Sequence, residues 1–190
     1  LLKRPHLRAA LITGFALVFA VENILVVYGA YLENRFALSL VTSGMLSIVI
    51  GGSELLAEGG SDLWTDRLGK KRSVIMGRFG FSVALVLLPW LGGNVVLALA
   101  GFAFVFFCFE FTIVSFFPLM SEVVPEARGT AISLNVAAMG VARFVAPVVA
   151  VFLFQRTNGL TSNALLSAAV ALLAAFVALA KLPDHELEPS

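Results

Sequence analysis

Residues 62–72, DLWTDRLGKKR, interrupt an otherwise apolar chain with a short run of alternating acids and bases. Leu38–Gly60 precedes this run and Ser73–Leu91 follows it, both long and almost uncharged. Such residues suit a tight, charged hinge between two membrane spans. Gly69 can adopt the positive φ that reverses a chain, Lys70, Lys71 and Arg72 can hold the turn at anionic headgroups, and Asp66 can sit against the positive N-terminus of a neighbouring helix.

Outward from this hinge the pattern repeats. A hydrocarbon layer about 30 Å thick needs roughly 20 helical residues. Spans are expected at Ala9–Tyr31, Leu38–Gly60, Ser73–Leu91, Val95–Met120, Thr130–Phe154 and Ala164–Ala180. The runs are continuously apolar rather than alternating, which excludes a membrane barrel and leaves an all-α bundle of six transmembrane helices over residues 1–190. With 59% hydrophobic and 13% charged residues, and a mean hydropathy of +0.97, the chain has too little polar surface for a water-soluble domain of its size. The lipid bilayer is its expected environment, and a net charge of +1 marks no surface for nucleic acid.

The basic residues are lopsided. Lys3, Arg4, Arg8, Arg67, Lys70, Lys71, Arg72, Arg78, Arg128 and Lys181 are read as lying at the two ends and on the second and fourth connections, against Arg35 and Arg156 on the other side. Both termini are therefore expected in the cytoplasm, as an integral protein of a bacterial inner membrane. Tyr28, Tyr31 and Trp90 are expected at the outer headgroup boundary. The first span is too long for a cleaved signal and five more follow it. Cys108 alone forms no metal-binding spacing, and His6 and His185 lie far apart in the tails, so neither metal nor cofactor is implied.

Residues 59–72 resemble the loop motif of the major facilitator superfamily, Gly-x-x-x-Asp-Arg/Lys-x-Gly-Arg/Lys-Arg/Lys. Asp66, Arg67, Gly69, Lys70 and Lys71 match in type and spacing, while Asp62 stands where the motif has its first glycine. Pro125-Glu126-Ala127-Arg128-Gly129 resembles the Pro-x-x-Arg-Gly stretch that opens the fifth helix of a facilitator half, and Gly140 with Ala146-Pro147 faintly resembles the antiporter signature. The resemblance implies half of a facilitator fold, made of two inverted three-helix repeats that the residues themselves do not display. The short basic opening segment and the polar tail 183–190 suggest the C-terminal, second half. The missing N-terminal six-helix half is then on the same polypeptide, on a partner or supplied by a second copy. Resemblance to bacterial drug and sugar efflux permeases implies an antiporter that exports a small organic solute by alternating access with proton coupling. A non-transporting sensor or assembly subunit with the same fold is the alternative. No Ser-His, Asp-Asp or His-Glu arrangement in the spans suggests an enzyme.

Charges inside hydrocarbon are the candidates for substrate and proton pathways, since each is expensive there unless it faces a cavity or a partner. These are Glu22, Glu54, Glu110 and Arg143, with Asn23 and Asn135 as polar candidates. A rise of about 1.5 Å per residue puts Glu22 and Arg143 both roughly 21 Å from the cytoplasmic side, so they can pair. A pair that opens and closes would bind and release a proton, whereas a permanent pair would only fix packing, and the residues fit either. Ser47, Gly51, Glu54 and Glu58 share one helical stripe. Glu122, Glu126 and Arg128 are candidates for an inner gate, the two glutamates being expected to pair with Arg67 or Arg72. The phenylalanines of the fourth span suit packing and lipid contact better than a cavity.

Overall fold

The computed structural model describes residues 2–182, except for the side chains of Leu40, Ser43, Met45, Leu46, Asp62, Leu63, Trp64 and Asp66. The tail 183–190 lies outside the described residues. Among the described residues, six α-helices make up the fold: α1 (Pro5–Phe36), α2 (Leu40–Leu68), α3 (Lys70–Leu87), α4 (Val95–Val123), α5 (Arg128–Thr157) and α6 (Thr161–Lys181). Short 3-10 turns at Leu88–Leu91 and Pro125–Ala127 extend α3 and introduce α5. Among the described residues, five of the helices, counting those extensions, are long and apolar enough to cross a membrane. Helix α2 has the same length as α4, 29 residues, and its charges other than Glu54 and Glu58 gather at its end, Asp62–Leu68.

The charged hinge is mostly helix. Backbone hydrogen bonding continues past the last apolar residue, because Asp, Arg and Leu extend a helix well enough outside the hydrocarbon. Residues 62–68 therefore form the end of α2, and Gly69 alone separates it from α3. Gly69 holds φ at +84° and ψ at 146°, a region open essentially only to glycine. Arg78, counted above with the charges of this connection, lies two turns inside α3 and is fully buried.

The inverted repeat that the residues hide is visible in the packing. The most extensive contacts join α1 to α5 and α6, α4 to α2 and α3, and α3 to α6; smaller ones join α1 to α4 and the helices adjacent in sequence. Exchanging α1 with α4, α2 with α5 and α3 with α6 carries this whole pattern onto itself. Because α1 and α4 start at opposite ends of the bundle, the two repeats are inverted.

Hydrocarbon gives helices no hydrophobic reason to associate, so close approach must supply dispersion and hydrogen bonds. Helix α5 buries one stripe, Ala131, Asn135, Met139, Ala142, Ala146, Ala150 and Phe154. Helix α6 buries another, including Ala164, Ala168, Ala171, Ala175 and Ala178. In α3, Gly77 lies directly on Thr112 of α4. Gly140, by contrast, has open space where a side chain would stand, so it makes no close helix contact among the described residues.

The aromatic residues divide by face. Phe102, Phe106, Phe109 and Phe116 belong to the core, whereas Phe104, Phe107 and Phe117 are exposed. Trp90 is exposed, but Tyr28 and Tyr31 are not headgroup anchors: both are buried and meet Phe102 edge-on. Their rings are large enough to fill the junction of α1 and α4, and packing there outweighs the headgroup preference.

Candidate functional site

Glu22 lies near the middle of α1 and Arg143 near the middle of α5. The structure brings them together, with Arg143 Nε 3.3 Å from Glu22 Oε1. The equal depths counted along the two helices become an ion pair because α1 and α5 pack along much of their length. The pair sits at the edge of that interface rather than within it. Arg143 has 65% of its side chain exposed and Glu22 20%. A guanidinium that open at mid-bundle needs water or another protein surface beside it, since lipid tails give it no partner. Pro147, one turn after Arg143, has no amide to donate to the Arg143 carbonyl, so the helix lacks a backbone bond at the residue that carries the charge.

Glu54 and Glu58 of α2 lie within electrostatic reach of Glu110 of α4. Packing of α2 on α4, fixed in part by a 2.8 Å hydrogen bond between the Thr65 and Ser115 hydroxyls, places all three carboxyls on one side of the bundle.

Asn23 and Asn135 are fully buried between helices. The Asn23 amide donates to the Asn163 carbonyl at 3.0 Å and to the Ser167 hydroxyl at 2.9 Å. Asn163 in turn donates to Asn23 Oδ1 at 3.2 Å and to the Ala150 carbonyl at 3.0 Å. This cluster clasps α1, α5 and α6 directly behind Glu22, and it fixes the rotation of α1 that turns Glu22 outward. Asn135 packs its amide against Gly14, where a side chain would leave it no room.

Sequence reasoning missed Arg78. It is fully buried and donates from Nη2 to the Thr13 carbonyl, while Nε and Nη1 have no hydrogen-bond partner among the described residues. Its signal was available: a lone arginine five residues past Ser73, where the apolar run begins, belongs to the span, whichever charges cluster beside it.

At the end of the bundle that carries both termini, ion pairs tie the helices together. Lys70 bonds Glu122, and Arg4 bonds Glu126. The single-residue link at Gly69 puts Lys70 at the first turn of α3, beside the end of α4, and the start of α1 reaches the Pro125–Ala127 turn. A basic first turn opposes the α3 dipole, and Glu122 offsets it. Arg67 sits favourably at the carbonyl end of α2. Lys71 and Arg72 follow Lys70 in the first turn of α3, Arg128 opens α5 and is exposed, and the Asp66 side chain lies outside the described residues. His6 hydrogen-bonds the Lys181 carbonyl, joining the start of α1 to the end of α6.

Residues 10–190 match the family model of the Major Facilitator Superfamily. The uncharacterized MFS-type transporter YceJ of Bacillus subtilis (strain 168) is 31% identical over 134 residues, which are 68% of this chain and 33% of that protein. The chain thus spans about a third of the length of that curated relative. Two crystal structures of a mutant peptide transporter POT share the fold. The sulfate complex has a TM-score of 0.76 at 17% identity, covering 92% of this chain and 37% of its own. The alafosfalin complex has a TM-score of 0.78 at 17% identity, covering 93% and 38%.

Proposed function

Because the chain belongs to the Major Facilitator Superfamily, we propose that it forms the second six-helix half of a twelve-helix transporter that exchanges protons for a small organic solute. Membership makes it part of a membrane transporter; direction, coupling ion and mechanism are the proposal. The observation that carries it is the Glu22–Arg143 pair, half open at mid-depth on one face of the bundle. Such a pair can serve as a proton site. When α5 moves against α1 the carboxylate loses its counter-charge and takes a proton, and when the helices return the guanidinium expels it. The unbonded Arg143 carbonyl before Pro147 gives α5 a place to flex.

The open face is where the missing N-terminal half would pack, forming the other wall of the pathway. The matched residues cover only about a third of the relative's length, which leaves room for a further six-helix half on the same polypeptide. Removing the buried Arg78 from the loop charges still leaves Lys3, Arg4, Arg8, Arg67, Lys70, Lys71, Arg72, Arg128 and Lys181 at the terminal end, against Arg35 and Arg156. That bias favours both termini in the cytoplasm of a bacterial inner membrane, and the resemblance to drug and sugar efflux permeases favours export as the working direction. The Lys70–Glu122 and Arg4–Glu126 pairs would then form the inner gate, closing when the pathway opens outward.

The test is transport by the natural polypeptide in liposomes with an imposed pH gradient and a panel of small organic solutes. Accumulation of a solute against its own gradient, collapsed by a protonophore, is the expected result. Uphill accumulation that survives the protonophore would overturn proton coupling.

A further inference from the structure

We propose that a groove between α2, α3 and α4 seats an acyl chain of an anionic phospholipid, with the lipid phosphate held by Arg67 and Arg72. The groove follows from how these helices pack. Joined through Gly69, α2 and α3 touch one another little, and each packs far more extensively on α4. A cavity of about 510 Å³ results, with Leu56 and Gly60 on one wall, Met76 and Gly80 on the other, and Phe107 and Cys108 as its floor. Glycine helps to keep it open: a Cβ at Gly60 would meet nothing within 4 Å.

The lining is apolar almost throughout, and no acidic side chain belongs to it among the described residues. At the rim Leu56 is 74% and Met76 54% exposed, so the groove opens sideways to lipid and not into the bundle. No residue of α1 or α5 lines it, which keeps it apart from the Glu22–Arg143 pair. Its test does not depend on transport.

The second observation is the charge at which both walls end. On α2, Leu56, Gly60 and Arg67 share one helical stripe, and on α3 so do Arg72, Met76 and Gly80. At about 1.5 Å per residue, Arg67 stands roughly 10 Å beyond Gly60 and Arg72 roughly 6 Å beyond Met76, both towards the hinge. Both arginines are exposed. A chain lying in the groove therefore brings its own phosphate to two guanidinium groups, at the end of the bundle where the basic residues gather.

Apolar fit alone selects nothing, because the surrounding tails are as apolar as the groove and a chain gains only close contact by entering. Charge supplies the choice. Two guanidinium groups favour a headgroup of net negative charge over a zwitterion, whose cationic end they repel. A lipid seated there also braces α2 against α3 where they contact each other least.

The natural polypeptide, delipidated in neutral detergent, is titrated with phosphatidylglycerol or with phosphatidylcholine of the same chains. Bound lipid is counted by native mass spectrometry and the thermal midpoint is read alongside. Phosphatidylglycerol should bind on the order of tenfold more tightly and raise the midpoint saturably, and Arg67→Gln combined with Arg72→Gln should remove that preference. Gly60→Leu fills the open space and leaves both arginines in place, so it should weaken phosphatidylglycerol binding on the order of tenfold as well. If that variant does not fold, Met76→Trp fills the groove from its other wall. A preference lost with the arginines but untouched by the filling variant marks attraction at the surface, and it overturns the groove as the seat. Equal binding of the two lipids, or a preference that survives loss of both arginines, overturns the proposal outright.

Discussion

Glu22→Gln, placed in the natural polypeptide, should reduce pH-gradient-driven solute flux to background while leaving the protein folded and able to exchange solute downhill. Glutamine matches glutamate in size and can still accept a hydrogen bond from Arg143, so the α1–α5 edge keeps its shape. What it loses is the proton. Arg143 remains without a counter-charge but is 65% exposed, so water or the opposite half can accommodate it, and the usual cost of stripping a buried ion of its partner does not apply. Flux in liposomes and thermal unfolding, measured side by side, separate a coupling defect from a folding defect. If Glu22→Gln transports with the parent's pH dependence, the pair only fixes packing.

The second large effect concerns assembly. A Cβ on Gly77 would fall 2.3 Å from Thr112 Oγ1, 3.0 Å from Phe111 Cδ1 and 3.3 Å from the Thr112 Cα. The Thr112 hydroxyl is held by a 2.6 Å hydrogen bond to the Cys108 carbonyl, and the backbone beneath it has no rotamer to change. Gly77→Ala therefore already requires the Thr112 side chain to give way or the helices to shift, whereas Gly77→Leu must push α3 still farther from α4. Separation would also loosen Gly80 from Cys108, one turn on. Gly77→Leu should destabilise the fold by about 3 kcal/mol, at the upper end for overpacking, with Ala well below it. Thermal or denaturant unfolding in detergent would show this ordering; equal stability of the Ala and Leu variants would mean that the helices do not approach as closely as described.

The spans were legible because hydrocarbon demands long apolar runs, and the Glu22–Arg143 contact was foreseeable because depth along a helix is simple counting. Helix ends were less so. Hydropathy falls where lipid ends, but a helix ends where its hydrogen bonding fails, and so α2 runs through Asp62–Leu68 to the one residue, Gly69, that breaks it. The partners of Asn23 were not legible for another reason. An amide in hydrocarbon needs a partner, yet nothing near it in sequence identifies Asn163 and Ser167, 140 and 144 residues away. The repeat was hidden because inverted symmetry resides in which helices pack together, and many different small residues permit the same close approach.

The central claim is that the Glu22 face of α1 borders a pathway open to one side of the membrane at a time. Leu11 and Gly29 lie on that face, one on each side of Glu22 along the helix, and both are partly exposed. Each is replaced by cysteine in the natural polypeptide lacking Cys108, and labelling by a membrane-impermeant thiol reagent is followed across a pH range that protonates and deprotonates the transporter. The account predicts reciprocal changes, the position near the termini gaining reactivity as the other loses it. Labelling at both positions that is unaffected by pH would contradict it.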